Sequence, residues 1–145
     1  MGKKRVAKKG TSQVDEALRT RALGKASKKK IEDGFLYVNS SYNNTILSLT
    51  DEKGNVAFWA SAGSLGFKGT KKGTPFAASK AAELVADKTK LIGIKNIDIV
   101  LKGIGAGRES AIRAFINRAE INVKSIKDVT PIPHGGVKAP KPRRV

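Results

Sequence analysis

Positive charge is concentrated at the two ends of this 145-residue chain, and this distribution limits what the chain can fold into. Residues 1–30 carry eleven Lys or Arg against two acids, a net of +9, and residues 137–145 carry four and no acid, a net of +4. These ends hold most of the formal net charge of +17, which leaves only +4 for the 106 residues between them. Ends so rich in charge are not expected to build a core, so the folded part must lie in the middle.

We therefore predict a basic N-terminal arm over 1–32, a globular domain over 33–130, and a basic tail rich in Pro and Gly over 131–145. The length fits one domain. Such an excess of positive charge indicates a polyanionic partner, and the arms are expected to become ordered on phosphate backbones as counterions are released. The alternative is that the arms only aid solubility.

The composition excludes several classes of protein. The chain has no cysteine, which excludes disulfide frameworks and thiolate zinc sites, and its one histidine, His134, cannot form a multi-histidine metal site. No apolar run approaches the roughly 18 residues that span a bilayer, and the N-terminus lacks the apolar stretch of a secretory signal. We expect a cytoplasmic protein without metal, cofactor or membrane contact.

The middle region predicts an α/β fold. Strand patterns cover 35–38, 45–50, 56–60, 97–101 and 121–129, and helix patterns cover 75–90 and 108–119. The first three strands are too closely connected for crossovers, so they should form an antiparallel meander. The order βββαβα with a last strand implies one five-stranded mixed sheet covered by helices. We expect these side chains in the core: Trp59, Ala77, Ala81, Leu84, Val85, Ile112, Phe115, Ile116 and Ala119.

A basic, Gly-rich loop over 63–73 precedes the first helix. It is not a phosphate-binding loop of the NTPase kind, because no Gly-Lys is followed directly by Ser or Thr at the required spacing. Its lysines, Lys68, Lys71 and Lys72, lead into Thr74 and Pro75, a typical start of a helix. Because a helix N-terminus attracts anions, we predict that this flexible loop binds backbone phosphates. The alternative is a solvated loop whose glycines serve only turn geometry.

A second glycine-rich turn, 103–107, lies between a strand and a helix. It does not fit a dinucleotide fingerprint, because its third glycine falls one position early and Arg108 stands where glycine is expected. We expect close approach of RNA to this turn, with Arg108 pairing to a phosphate. Asn43, Asn44 and Thr45 are either ordinary turn residues or contacts to sugars and base edges.

The sequence gives little support to catalysis. His134 is not near a serine–acid pair, and the acids cluster only as Glu32–Asp33 and Asp51–Glu52, at turn-like positions. Two such pairs are weak support for a two-metal nuclease. We therefore expect an RNA-binding protein and no enzyme, with a ribonuclease-H-like nuclease and a nonspecific nucleic-acid-binding protein as alternatives.

Several motifs, taken together, resemble the bacterial-type small-subunit ribosomal protein eleven family over about residues 33–145. They are Asn43-Asn44-Thr45-Ile46, Trp59-Ala60-Ser61-Ala62-Gly63, Gly66-Phe67-Lys68-Gly69, Thr74-Pro75-Phe76-Ala77-Ala78, Gly107-Arg108-Glu109-Ser110-Ala111-Ile112-Arg113 and Ile126-Lys127-Asp128-Val129-Thr130-Pro131-Ile132-Pro133-His134. The resemblance implies a ribonuclease-H-like sheet without nuclease acids.

The resemblance also implies a place on the small-subunit platform, bound to the central domain of small-subunit rRNA near the mRNA exit site. It implies small-subunit proteins seven, eighteen and twenty-one as neighbours, and we expect no homo-oligomer. Together with the basic arms, it makes these residues candidate RNA contacts: Lys28, Lys29, Lys30, Asn43, Asn44, Thr45, Lys68, Lys71, Lys72, Thr74, Arg108, Arg113, His134, Lys138, Lys141, Arg143 and Arg144.

The chain departs from the family pattern at several positions. The family's Pro-Gly-Pro-Gly-Arg loop is Ile104-Gly105-Ala106-Gly107-Arg108 here, so both rigid prolines are absent. The family's His-Asn-Gly turn is His134-Gly135-Gly136, and a glycine that ends the second helix in relatives is missing near Glu120.

Overall fold

The apolar runs of the middle region form five strands and two helices in the computed structural model, which describes residues 30–142. The elements are β1 (Asp33–Ser40), β2 (Thr45–Asp51), β3 (Val56–Ser61), α1 (Pro75–Ile92), β4 (Asn96–Lys102), α2 (Gly107–Ala119) and β5 (Asn122–Asp128). Their order confirms the prediction. Most of the predicted N-terminal arm, with Lys28 and Lys29, lies outside the described residues, as do Arg143 and Arg144.

Hydrogen bonding places the strands in the order β3-β2-β1-β4-β5. The first three strands form the predicted antiparallel meander, whereas β4 lies parallel to β1 and β5 lies parallel to β4. Parallel neighbours need crossover connections, which α1 and α2 supply. The α/β architecture with one five-stranded mixed sheet is therefore confirmed.

One face of the sheet and both helices enclose the core. Alternate residues of the inner strands, such as Leu36, Leu47 and Ile99, are fully buried, as the two-residue period of a strand predicts. The buried residues of α1 include five alanines: Ala77, Ala78, Ala81, Ala82 and Ala86. Such small side chains let α1 lie close to α2, with which it packs extensively. The helices thus cover one face of the sheet and leave the other open.

Two of the predicted core residues are exposed, and a third, Ile112, is only partly buried against the core. Trp59 is 57% exposed, because it alternates with the buried Ala60 on the edge strand β3 and so points away from the helices. Ile116 is 36% exposed, because the buried stripe of α2 runs through Ala111, Phe115 and Ala119, one residue in every four. The prediction that Trp59 and Ile116 are buried is therefore wrong, because each side chain lies on a face of its strand or helix that is turned away from the core.

The helix boundaries follow local signals closely. α1 begins at Pro75 as predicted and ends two residues later than predicted, where Gly93 takes a left-handed φ of 88°. α2 begins one residue earlier than predicted, at Gly107, and ends at Ala119. The residue after it, Glu120, adopts a left-handed φ of 54°, a conformation in which glycine is usual.

Candidate nucleic-acid interface

Three loops meet at the end of the sheet where the parallel strands β1 and β4 finish. These are the turn 41–44, the segment 68–74 before α1, and the turn 103–106 before α2. The amide of Gly105 donates a hydrogen bond of 2.9 Å to the carbonyl oxygen of Ser40. In open α/β sheets, ligands bind at the carboxyl ends of the parallel strands. We refer to these three loops as the loop cluster.

Glycine is required where these loops touch. A Cβ atom at Gly73 would overlap the carbonyl oxygen of Tyr42, and one at Gly103 would overlap the carbonyl oxygen of Ser40. Gly103 also has a φ of 98°, which disfavours any other residue. These glycines therefore allow the backbones of the three loops to approach one another closely. The sequence alone did not predict this role.

The Gly-rich loop over 63–73 contains regular backbone structure. It contains two short 3-10 turns, Gly63–Leu65 and Gly69–Gly73, and the second ends directly at the helix. Lys68 and Lys71 are exposed and Lys72 is half-buried. Within residues 30–142, none of these three lysines pairs with an acidic side chain. Their charges are therefore available to an outside anion at the N-terminus of α1, where the helix dipole also attracts one.

Thr74 has a structural role at this helix. Its hydroxyl donates to the carbonyl oxygen of Lys71 at 2.7 Å and accepts from the amide of Ala77 at 3.3 Å, which is the geometry of a helix cap. The cap satisfies one of the first amides of α1. Thr74 therefore fixes the start of α1 next to Lys71 and Lys72.

An aromatic pair lies beside the lysines, in which Phe67 is half-buried and Phe76 is exposed. Phe67 and Phe76 meet edge to face with ring centroids 6.0 Å apart, and the Nζ atom of Lys80 lies 5.7 Å from the centroid of Phe76. Phe76 is exposed although it is strongly apolar. Neither Phe76 nor Lys80 is among the residues that the sequence marked as candidate RNA contacts. The signal was available, because Phe76 does not belong to the alanine-lined face of its helix.

The candidates at the β1–β2 turn divide into exposed and internal residues. Asn43 is exposed, and the neighbouring Tyr42 is 74% exposed. The side-chain oxygen of Asn44 accepts from the amide of Thr45 at 3.0 Å, and Thr45 itself is fully buried with its hydroxyl 3.3 Å from that of Ser40. The side chains of Tyr42 and Asn43 can therefore meet a ligand, whereas that of Thr45 holds the turn.

Arg108 folds back onto its own chain. One guanidinium nitrogen donates to the carbonyl oxygen of Gly103 at 3.0 Å, and the other forms an ion pair with Asp128. Asp128 also accepts from the hydroxyl of Thr130 at 2.6 Å. The Thr130 hydroxyl and, after it, Arg108 lower the pKa of Asp128 to about 2. Arg108 is 27% exposed and is committed to internal partners, unlike the loop lysines.

The remaining described candidates lie apart from the loop cluster. Arg113 is exposed on α2, where it pairs loosely with Glu109 at 3.5 Å. Residues 131–142 are all exposed, among them the predicted tail contacts His134, Lys138 and Lys141. Lys30 is exposed at the opposite end of β1 from the loop cluster.

The two acidic pairs of the sequence line one cleft around Lys30, at that opposite end of the sheet. Two of the acids already have partners within the fold. The carboxylate of Asp33 accepts from Lys124 at 2.6 Å and from Asn96 at 2.9 Å, and that of Asp51 accepts from the amide of Asn55 at 2.8 Å. The bond from Lys124 is the main cause of a lowered pKa at Asp33. Over residues 30–142, no group of three or more His, Asp or Glu side chains is placed to hold a metal ion.

No helix in the described part of the chain is long and apolar enough to cross a lipid bilayer.

A comparison with protein families finds that residues 34–144 match the family described as Ribosomal protein S11. The match covers about three-quarters of the chain, including the whole loop cluster and the exposed tail. The chain therefore belongs to the ribosomal protein S11 family and is an rRNA-binding structural component of the small ribosomal subunit, where it takes part in translation.

Proposed function

We propose that the chain binds the central domain of small-subunit rRNA on the platform of the subunit, near the mRNA exit site, without catalysing a reaction. The observation that carries this proposal is the group of Lys68, Lys71 and Lys72, which stand unpaired within the described chain at the N-terminus of α1. Unpaired lysines at a helix N-terminus suit the phosphates of a folded RNA backbone.

The neighbouring groups extend this surface beyond phosphate contacts. Asn43 and Tyr42 lie on the adjacent turn, and Phe76 is exposed beside the lysines. Short polar side chains suit contacts to ribose hydroxyls and base edges, and exposed rings can stack on unpaired bases. The loop cluster would thus recognise the shape of a folded RNA, while the basic arms add charge neutralisation.

The finer assignments follow from the resemblance and are supported by the topology. The order β3-β2-β1-β4-β5, with two parallel crossovers, supports a fold of the ribonuclease-H-like type. The same family resemblance suggests small-subunit proteins seven, eighteen and twenty-one as neighbours. It also suggests that the chain enters the subunit as a monomer and that it is located in the cytoplasmic ribosome. The alternatives are a nonspecific nucleic-acid-binding protein and a ribonuclease-H-like nuclease.

A binding experiment separates these alternatives. The full chain is titrated against a transcript of the central domain, a transcript of another rRNA domain of equal length, and duplex DNA, all at the same salt concentration. We expect the central domain to bind at least about tenfold more tightly than the other two. Equal affinity for all three would indicate nonspecific binding, and magnesium-dependent cleavage of the RNA would indicate a nuclease.

Sedimentation tests the assignment in the cell. The tagged chain is followed through a gradient that resolves the ribosomal subunits at moderate salt. We expect one copy per small subunit, and chemical crosslinks from Lys68 or Lys71 to nucleotides of the central domain. Crosslinks confined to another rRNA domain would contradict the proposed location.

A further inference from the structure

The start of the tail is held at one point by a small hydrogen-bond network. The amide of Val129 donates to the carbonyl oxygen of Leu101 at 2.8 Å. The hydroxyl of Thr130 donates to Asp128 at 2.6 Å and accepts from the amide of Gly103 at 3.1 Å. Thr130 therefore ties the end of β5 to the turn that follows β4.

Arg108 closes this network from the first turn of α2. Its guanidinium bridges the carbonyl oxygen of Gly103 and the carboxylate of Asp128, so that it reaches both sides of the junction tied by Thr130. A planar guanidinium suits such a bridge because its donors have a fixed geometry. We call Arg108, Asp128, Thr130 and Gly103 the tail clamp.

Beyond the clamp the tail makes no further attachment to the described chain. Within residues 30–142, no hydrogen bond or ion pair is formed by any residue from 131 to 142, and all of them are exposed. Thr130 is thus the last residue whose position the globular domain determines.

We propose that Arg108 is a positioning residue for the tail and does not itself pair with an rRNA phosphate. It holds Asp128 and Gly103 so that residues 131–142 leave the loop-cluster end of the sheet in a fixed direction. A tail that starts at a fixed point and in a fixed direction has a higher effective concentration at its RNA site than one that starts from a frayed strand. The inference rests on the proposed function, because it assumes that the tail binds the same RNA.

One substitution distinguishes positioning from direct contact by the sign of its effect. Asp128→Asn removes a negative charge and weakens the hold on Arg108. If Arg108 contacts a phosphate, this change frees it and RNA binding becomes tighter. If the clamp positions the tail, we expect Asp128→Asn to weaken binding to the central-domain transcript by about tenfold, in spite of the added positive charge. Glu52→Gln, which removes an exposed acid at the far end of the sheet, is the charge-matched control and should not weaken binding.

A double-mutant cycle gives a second, independent test on the full chain. Arg108→Gln is measured alone and in a background in which Lys138, Lys141, Arg143 and Arg144 are all alanine. If Arg108 acts through the tail, its effect on RNA affinity disappears once the tail has lost its charges. An equal loss in both backgrounds would show a direct contact and overturn the inference.

The variants must be shown to fold, by circular dichroism and thermal unfolding. Should Asp128→Asn or Arg108→Gln fail to fold, Thr130→Val removes the three hydrogen bonds of the Thr130 hydroxyl with Asp128, Gly103 and Arg108 without a change of charge. We expect this variant to bind the transcript about tenfold more weakly and to exchange the amide hydrogen of Val129 faster. Faster exchange with unchanged affinity would overturn the inference. Failure of the unmodified chain to bind the transcript would instead refute the proposed function.

Discussion

At the scale of single residues, the basic side chains divide into those with partners inside the fold and those without. Arg108 pairs with Asp128, and Arg118 pairs with Asp87 at 2.7 Å. Lys68 and Lys71 have no acidic partner within the described residues. Only the second group can exchange counterions for phosphates without first breaking an internal ion pair. The exposure of a basic side chain and the absence of an internal partner are therefore better guides to a phosphate contact than its residue type.

The loop lysines should contribute to RNA binding and not to folding. We expect the triple change of Lys68, Lys71 and Lys72 to Ala to reduce the slope of log K against log salt by about 3, since each neutralised phosphate contributes about 0.9. The free energy of unfolding should change by less than about 0.5 kcal/mol, because these side chains have no acidic partners.

The charge control for this triple is the change of Lys53, Lys90 and Lys95 to Ala, which removes the same charge at the opposite end of the domain together with the exposed ion pair of Lys90 with Glu120. It should leave the salt slope for the transcript nearly unchanged. Equal losses from the two triples would mean that net charge alone, and not the loop cluster, governs binding. A large loss of stability in the first triple would mean that the loop packs inward.

Asp128 should titrate well below an ordinary aspartate. Its pKa is about 2, against a usual 3.8, chiefly because of the Thr130 hydroxyl and then Arg108. A carboxyl pKa that is lower in the folded state stabilises the fold fully above about pH 4, and this contribution is lost as the pH falls toward 2. We expect carboxyl NMR of the unmodified chain to give a midpoint near 2, and Thr130→Val to raise it. A midpoint near 3.8 in the unmodified chain would show that the clamp does not form in solution.

At the scale of secondary-structure elements, the ends of the two helices are built differently. α1 has both standard signals, a threonine cap at Thr74 and a left-handed glycine at Gly93. α2 ends at Ala119 and is followed by Glu120, whose left-handed φ of 54° is strained for a residue with a Cβ atom. The departure from the family pattern near this position therefore has a local energetic cost, while the boundary of the helix is kept.

Glycine at this position should stabilise the fold. We expect Glu120→Gly to raise the free energy of unfolding by about 0.5–1 kcal/mol, because glycine adopts the left-handed conformation without strain. The exposed ion pair lost with Lys90 is worth only a few tenths of a kcal/mol. Chemical denaturation measures the change. Glu120→Ala is the control, since it loses the ion pair but keeps the Cβ, and it should not be more stable than the unmodified chain.

At the scale of the whole molecule, the charged side chains of the domain are distributed unevenly between the two ends of the sheet. Within residues 30–142, the loop cluster places unpaired lysines at one end of the sheet, whereas the acidic cleft around Lys30 lies at the other. Such a distribution orients the protein as it approaches a polyanion. Within the globular domain, it favours binding through the loop-cluster end over binding through the acidic cleft.

Binding by the whole molecule should depend steeply on salt. If six to ten phosphates are contacted, the affinity for the central-domain transcript should fall roughly 10³–10⁵-fold between 50 and 200 mM salt. Filter binding across this range measures the slope. A nearly flat response would contradict a mode of binding in which backbone phosphates supply most of the affinity.

Local patterns in the sequence were sufficient to predict the elements and their order. Strand alternation, the Thr74-Pro75 helix start and the short early connections act over a few neighbouring residues, so they can be read without a structure. The segregation of charge likewise required only the sequence. Together these signals predicted the sheet, both helices and the class of partner.

The tertiary structure decided which side chains are available. Arg108 and Asp128 are 20 positions apart, and Asp33 and Lys124 are 91 apart, so no local pattern pairs them. The exposure of Trp59 depends on which face of the sheet the helices cover, which is a property of the whole fold. The sequence by itself determined the elements and the positive charge, because those depend on near neighbours and composition. Only long-range packing determined which basic residues remain free to meet RNA.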